Sequence, residues 1–254
     1  MSPFTLYNAP QSTCSQRVRY VLNAKGLAFE EHKLDLFSGD QLKPDYLRLN
    51  PNGVVPTLVH GDRTVIDSAV IMEYLDEINR APSPFVPDDP LDRALMRSMM
   101  RFIDEVPTPA IRIPSYNLAF LPHFQSMSDA EFQALADSKP LRREFLLRMG
   151  RTGFPQADLD EALGRLGRGV ERMGQWLDQS GGPWLMGEVM TLADIAVMPV
   201  IVRMADINLS SLWNETPAIG RWLETLEATE PFQPTYYHGS LLTDKYPHLK
   251  ALKR

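Results

Sequence analysis

The sequence predicts an α+β region followed by an all-α region, and three observations carry this prediction. Strand-like and helical patterns alternate over the first 80 residues, four prolines fall within residues 81–90, and no convincing strand follows. We therefore divide the chain into a mixed domain at 1–80, a proline-rich linker at 81–90 and a helical-bundle domain at 91–254. The predicted element order of the mixed domain is β-α-β-α-β-β-α.

Length and composition fit one large folded domain or two ordinary ones, since 254 residues include 44% hydrophobic and 23% charged residues. The net charge is −6, so the broad basic surface that nucleic acid or anionic lipid requires is not evident. No basic N-terminal segment precedes an apolar run, and no apolar run approaches the roughly 20 residues of a membrane-spanning helix. We expect a cytoplasmic protein that binds neither nucleic acid nor membranes.

The first strand, loop and helix hold the residues best suited to chemistry. Residues 4–7 fit a short strand, and Ser12, Thr13, Cys14 and Ser15 begin a helix that Gly26 ends. A hydroxyl or thiol at a helix start faces unpaired N–H groups and the positive end of the helix dipole, which together favour a nearby thiolate. These small polar residues are equally suited to capping the helix.

The rest of the mixed domain alternates strands and helices. Residues 27–35 fit a strand whose alternation is interrupted by charged residues, and residues 40–47 fit a short irregular helix. A turn at 50–53 precedes a hairpin in which Pro56 stands at a strand start, where it forfeits no ladder bond and where a cis bond can occur. Asp67 and Ser68 precede an apolar helical stripe, so Ser68 is expected at the N-cap or the first helical position.

The second region reads as helices only. Capping boxes begin two of them, at 128–131 and 191–194, and residues 231–254 are aromatic without a clear period. Helical spacing is found at 91–106, 128–135, 141–149, 156–179, 191–204 and 216–226.

Cys14 is the single cysteine, so an internal disulfide and a cysteine-cluster metal site are excluded and we expect no metal.

Four segments in this order resemble the glutathione S-transferase superfamily, in which a thioredoxin-like N-terminal domain joins a helical C-terminal domain. The resemblance covers almost the whole chain and implies glutathione as cosubstrate, a small hydrophobic electrophile as the second substrate and a homodimer. The segments are Ser12-Thr13-Cys14-Ser15-Gln16-Arg17-Val18-Arg19, Asn50-Pro51 with Val54-Val55-Pro56-Thr57-Leu58, Asp67-Ser68 with Ile71 and Tyr74-Leu75, and Thr191-Leu192-Ala193-Asp194.

The resemblance points to more than one subfamily. The first segment is similar to the zeta class, whose helix opens Ser-Ser-Cys-Ser, with Thr13 here for the second serine. Residues 44–50, 54–58 and 61–63 resemble bacterial reductive dehalogenases of chlorinated hydroquinones. The insert at 126–154, with Arg151-Thr152-Gly153-Phe154, resembles bacterial β-etherases that split lignin-type aryl ethers. The sequence leaves this choice open.

The resemblance also implies roles at the helix start. Ser12 matches the position whose hydroxyl donates to the glutathione sulfur and keeps it a thiolate, with Thr13 and Ser15 as alternative donors. Cys14 has two interpretations: a small buried residue, or a second thiol that attacks a glutathione adduct and releases reduced product. A thiol oxidoreductase working through Cys14 without glutathione is disfavoured, because no Cys-x-x-Cys pair exists.

Glutathione itself is expected to lie along the mixed domain. Its γ-glutamyl carboxylate needs a helix N-terminus, where Ser68 lies, and Asp67 can take its α-amino group. Its cysteinyl backbone would pair with Val55 if the Val55–Pro56 bond is cis, as in the family, and Gln41 stands near the expected glycyl end.

The acceptor pocket is expected between the domains, with Tyr116, Phe120 and Phe124 as candidate lining residues and Tyr236 and Tyr237 as further ones. Its apolar character suits an aromatic electrophile. Conjugation, β-ether cleavage, reductive dehalogenation and maleylacetoacetate-type isomerisation would all share the same thiolate. The alternative from another class is a catalytically silent binding or regulatory module of the same fold, which the helix-start hydroxyl and Asp67–Ser68 disfavour.

Overall fold

The N-terminal domain of the computed structural model, which describes residues 3–253, is a four-stranded mixed sheet with three helices. The strand order is β2-β1-β3-β4, with β1 parallel to β2 and antiparallel to β3, and β3 antiparallel to β4. This architecture confirms the predicted thioredoxin-like domain. The elements are β1 Phe4–Asn8, α1 Thr13–Ala24, β2 Phe29–Lys33, α2 Pro44–Leu49, β3 Thr57–His60, β4 Arg63–Ile66 and α3 Ser68–Ile78.

One strand, one helix end and one peptide bond of this domain relate to expectations from its sequence. Strand β2 lies at a sheet edge and none of its residues is fully buried, so a strict apolar alternation is not required of it. Gly26 ends α1 with φ 61°, a conformation that glycine adopts without penalty. The Val55–Pro56 peptide bond is cis.

The C-terminal domain is helical, as predicted. Helix α4 already begins at Pro90, the last residue of the predicted linker, and the predicted domain limits also include residues 1, 2 and 254, which lie outside the described residues. Among residues 3–253, no helix combines the length and the apolar composition that crossing a bilayer requires. The helices are α4 Pro90–Glu105, α5 Pro107–Ala110, α6 Arg112–Ser115, α7 Leu121–Gln125, α8 Asp129–Asp137, α9 Arg143–Met149, α10 Gln156–Ser180, α11 Leu192–Asp206, α12 Pro217–Glu227, α13 Phe232–Thr235 and α14 Leu242–Lys245, with a π-helical turn at Tyr116–Phe120 and a final 3₁₀ helix at Pro247–Lys253.

One hydrophobic core includes residues of both domains. The buried Arg17 of the N-terminal domain forms hydrogen bonds with residues of the C-terminal domain. Arg17 on α1 is 1% exposed and donates to the Ala196 carbonyl at 2.8 Å, to Asp104 Oδ1 at 2.6 Å and to Thr108 Oγ1 at 3.0 Å. Its Nη1 also lies 3.5 Å from Ser68 Oγ on α3. Arg17 therefore fixes α1 and α3 against α4, α5 and α11.

A second, smaller core lies between α7 and the insert at 126–154. Its buried residues include Phe124, Phe132 and Phe154, and partly buried Phe37 of the N-terminal domain packs against them. Asn117 clamps the end of the insert, since its Oδ1 accepts from the Phe154 N–H at 2.8 Å and its Nδ2 donates to the Phe154 carbonyl at 3.1 Å. The insert is thus a separately packed unit fastened over the N-terminal domain.

The two capping boxes differ sharply in burial, which predicts different energetic weights. Asp194 is fully buried and accepts from Leu185 N–H at 2.9 Å, Thr191 N–H at 2.9 Å and Trp222 Nε1 at 3.0 Å. Asp194→Ala leaves these donors buried and unpaired, so we expect a loss of about 3–4 kcal/mol in the free energy of unfolding.

The matched control is the exposed box of α8, in which Glu131 accepts from the Ser128 N–H at 2.7 Å. Glu131→Ala is expected to cost far less than Asp194→Ala in the same urea titration, because water replaces the lost bond. Equal losses for the two variants would contradict the assigned weight of the buried box.

Candidate active site

A cavity of about 440 Å³ lies between the two domains. The N-terminal domain forms one wall with the loop and start of α1, the segment after β2 and the segment before β3. The C-terminal domain forms the other wall with α6, the π-helical turn and the insert. The lining includes Ser12, Thr13, Cys14, Phe37, Gln41, Val54, Val55, Ile111, Arg112, Tyr116, Phe120, Phe124, Arg142 and Leu146.

Three of the four residues predicted at the start of α1 line this cavity, and the fourth, Ser15, does not. Ser12 is the N-cap, and its Oγ accepts from the Ser15 N–H at 3.2 Å, so its own hydroxyl hydrogen remains available for donation. Thr13 and Cys14 also line the cavity. Ser15 is 0% exposed, lies outside the lining and accepts from the Ala9 N–H at 3.4 Å. Its hydroxyl supports the loop and does not reach the cavity.

The loop before Ser12 is held by buried polar groups. Arg19 on α1 donates to Asn8 Oδ1 at 2.6 Å and to the Pro10 carbonyl at 2.9 Å, and Gln16 donates to the Ser240 carbonyl at 3.0 Å. The C-terminal tail therefore packs against the same loop from the other side. Such fixed geometry keeps the Ser12 hydroxyl in place for a ligand.

Val55, in the segment before β3, and Gln41, in the segment before α2, both line the cavity. Val55 lines the cavity, while Pro56 is buried outside it. Asn50 Nδ2 donates to the Val54 carbonyl at 2.9 Å and fixes this segment. Gln41 is 4% exposed and donates to the Leu36 carbonyl at 3.2 Å, whereas its buried Oε1 has no hydrogen-bond partner among the described residues. A ligand N–H in the cavity would satisfy that oxygen.

Asp67 and Ser68 lie outside the residues that line this cavity. Asp67 has φ 73° and caps α3, its Oδ1 accepting from the Ala69 N–H at 2.9 Å and the Val70 N–H at 3.2 Å. Ser68 is the first helical residue, one of the two positions that the sequence predicts for it. A ligand that spans from Ser12 to these residues would have to extend beyond the cavity along the N-terminal domain.

Aromatic side chains form the opposite wall. Tyr116, Phe120 and Phe124 all line the cavity, and the Tyr116 and Phe120 rings meet edge to face with centroids 4.9 Å apart. Burial raises the pKa of the Tyr116 phenol, while the positive charges of Arg142 and Arg112 oppose that shift. Tyr236 and Tyr237 do not line the cavity.

Sequence reasoning missed the basic residues of the cavity. Arg112 is placed between Ile111 and Ile113, and an arginine flanked by apolar residues in a helical segment was the available signal. Arg142 lies just before α9, in a segment without such a signal. Among the described residues, no three His, Cys, Asp or Glu side chains are grouped so that they could hold a metal ion.

The fold and this cavity define the class of protein. Residues 11–78 match the model of the glutathione S-transferase N-terminal domain, and residues 129–230 match that of the C-terminal domain. The chain is also 30% identical over 230 residues to Protein LigF of Sphingobium sp. strain SYK-6, covering 88% of this chain and 89% of LigF. The chain belongs to the glutathione S-transferase family.

Particular relatives lie in several branches of that family. The crystal structure of the β-etherase LigF superposes with a TM-score of 0.82 at 27% identity, over 92% of this chain and 98% of LigF. Maleylacetoacetate isomerase of Emericella nidulans is 28% identical over 88% of this chain and 86% of its own length. Glutathione S-transferase 1 of Dianthus caryophyllus is 48% identical, but over only 35% of this chain and 40% of its own length.

Proposed function

We propose that this protein is a glutathione transferase that holds the glutathione sulfur as a thiolate at the start of α1 and directs it at an aromatic electrophile. The observation that carries the proposal is the shared cavity, in which Ser12 and Val55 lie on one side and Tyr116 and Phe124 on the other. A thiolate near Ser12 gains from the hydroxyl, from the unpaired N–H groups of α1 and from the helix dipole. The aromatic wall provides the apolar surface for an electrophile.

For the reaction we propose aryl ether cleavage, which the full-length similarity to LigF supports. The thiolate attacks the carbon bonded to the ether oxygen, the C–S bond forms and the C–O bond breaks. The bonding electron pair leaves with the oxygen as a phenolate, which takes up the proton that the thiol lost. This step needs no oxidant or reductant, so glutathione and the ether are sufficient.

Glutathione is proposed to extend from the cavity along the N-terminal domain. Its sulfur lies at Ser12, its cysteinyl backbone pairs with Val55, and its γ-glutamyl group reaches Asp67 and Ser68 at the start of α3. The unpaired Oε1 of Gln41 accepts from the glycyl end. A homodimer and a cytoplasmic location remain predictions from the family resemblance.

The test uses 2-phenoxyacetophenone, in which a ketone activates the carbon that carries the aryl ether. With glutathione we expect equal amounts of phenol and S-phenacylglutathione by chromatography, at a rate above the reaction without protein. If 1-chloro-2,4-dinitrobenzene is conjugated but no phenol is released, ether cleavage fails and the transferase assignment stands. If calorimetry detects no glutathione binding at millimolar concentration, the catalytically silent module replaces both.

A further inference from the structure

The cavity carries an excess of positive charge that the proposed reaction does not require. Among the described residues its lining contains one carboxylate, Asp35, which accepts from Ser38 Oγ at 2.6 Å and from the Phe37 N–H at 2.9 Å. These bonds and the nearby Lys245 charge hold the pKa of Asp35 below its usual value, so the group is ionised at neutral pH. The cationic lining residues are Lys33, Arg112, Lys139, Arg142, Arg203 and Lys245.

Four of these six cations already have partners. Lys33 Nζ lies 3.5 Å from Glu31 Oε2, and Lys139 Nζ donates to the Leu36 carbonyl at 3.2 Å. Arg203 donates to the Gln11 carbonyl at 2.5 Å, and Lys245 lies within the electrostatic range of Asp35. Arg112 and Arg142 are therefore the two lining arginines whose guanidinium groups are held by no carboxylate and by no carbonyl of a distant segment among the described residues.

Of the two arginines, Arg112 has the fewer partners for its guanidinium. It is half-buried, and no hydrogen bond or ion pair joins its guanidinium to any residue in the described part of the chain. Burial lowers its pKa, and the positive charge of Arg142 lowers it further, whereas Cys14 and Tyr116 raise it. A partly desolvated guanidinium without an anion is unfavourable, so the bound state of the cavity is expected to supply one.

Arg142 completes a local group, which we call the arginine pair, Arg112 and Arg142. Arg142 donates from Nη1 to the neighbouring Leu141 carbonyl at 3.1 Å, and no other hydrogen bond of its guanidinium is found among the described residues. Both arginines line the same cavity as Cys14 and Tyr116. The arginine pair therefore borders both the thiolate position and the aromatic wall.

We infer that the acceptor is an aromatic carboxylate, whose carboxylate group the arginine pair binds while its ring packs against Tyr116. This inference rests on the proposed function, because an acceptor beside Cys14 presupposes glutathione at the start of α1. Guanidinium groups bind carboxylates through two parallel hydrogen bonds. These bonds increase the affinity for the acceptor and fix the orientation of its ring. The arginine pair thus selects the substrate and aims its reactive carbon at the sulfur.

The carboxylates of glutathione are accounted for elsewhere. The γ-glutamyl carboxylate is assigned to Ser68, and the glycyl end to Gln41, whose Nε2 shares the Leu36 carbonyl with Lys139 Nζ. Because Gln41 Oε1 accepts from the glycyl N–H, we assign the glycyl carboxylate to the Lys139 ammonium beside it. The arginine pair is left for the second substrate.

The test compares the binding of 3,5-dinitrobenzoate and 3,5-dinitrobenzamide, which differ in charge and little in size, to protein saturated with S-methylglutathione. By calorimetry we expect the benzoate to bind at least tenfold more tightly. Arg112→Gln and Arg142→Gln should each weaken benzoate binding about tenfold and leave the benzamide within about twofold. Arg101→Gln, at an arginine whose side chain is 78% exposed on α4, is the control and should change neither.

Equal affinities of the two ligands for the wild-type protein would overturn the inference, as would an Arg112→Gln variant that weakens both ligands alike. If either arginine variant weakens S-methylglutathione itself tenfold, the arginine serves glutathione and the inference fails while the proposed function stands. If the wild type does not bind S-methylglutathione, the proposed function fails. In that case the affinities of the unliganded protein for the two ligands test the arginine pair alone. A tenfold preference for the benzoate supports carboxylate binding by the pair, and equal affinities contradict it.

Discussion

Replacing Ser12 with alanine is expected to lower kcat/KM about 100-fold, with little change in glutathione affinity. The Ser12 Oγ accepts the capping bond from the Ser15 N–H at 3.2 Å, so its hydrogen is free to donate to a sulfur in the cavity. Loss of one such preorganised donor costs about 10²–10³ in rate. Most of the proposed glutathione contacts lie elsewhere, so the ground-state complex is expected to survive.

The measurement is steady-state turnover of 1-chloro-2,4-dinitrobenzene, with glutathione affinity from calorimetry. Ser12→Ala also removes the N-cap and should cost about 1 kcal/mol in the free energy of unfolding, which a urea titration separates from the kinetic effect. Thr13→Ala, at the adjacent lining residue, is the control. Unchanged kcat/KM in Ser12→Ala, together with a large loss in Cys14→Ala, would transfer the activating role to Cys14.

Arg17→Met is expected to destabilise the protein more than any surface arginine substitution, by about 3–5 kcal/mol. The change deletes the hydrogen bonds to the Ala196 carbonyl, Asp104 and Thr108 at an almost fully buried position, and it leaves a buried carbonyl and hydroxyl without their donor. Because these partners belong to the C-terminal domain, the loss falls on the contact between the domains.

Urea denaturation measures this effect, with Arg101→Met as the matched control. Arg101 lies on α4 with an exposed side chain 3.7 Å from Glu105, and exposed ion pairs of this kind contribute little to stability. A loss below about 1 kcal/mol for Arg17→Met would show that water or neighbouring groups replace the arginine, and would contradict its role as a link between the domains.

The elements that the sequence predicted well are those whose signals are local. Helix α10 was predicted at 156–179 and is found at Gln156–Ser180, and both capping boxes begin helices at the predicted residues. The tail at 231–254 showed no period because its α-helices, α13 and α14, are single turns, and α14 is held by tertiary bonds from the Leu242 N–H and the Thr243 hydroxyl to Asp206. Such bonds join residues far apart in the chain and leave no local pattern.

The same distinction applies to the site. A helix start can be recognised from sequence, so Ser12 and Cys14 were identified, but which hydroxyl faces the cavity depends on the loop, and Ser15 turned out to be buried beneath it. Tyr116 lines the cavity whereas Tyr236 does not, although both are aromatic residues in segments of the second region without a clear period in the sequence. The sequence did not predict the arginine pair because residues 112 and 142 lie far apart in the chain, and only the fold brings both side chains to one cavity.

The central claim is that the protein keeps bound glutathione as a thiolate, and the ultraviolet absorbance of the thiolate in the binary complex tests it most directly. Titrated with pH, the wild-type complex is predicted to show the thiolate signal already at about pH 7, with a midpoint at least one unit below that of free glutathione. In Ser12→Ala the midpoint should return towards the free value while binding persists. A wild-type complex that titrates like free glutathione would contradict the account.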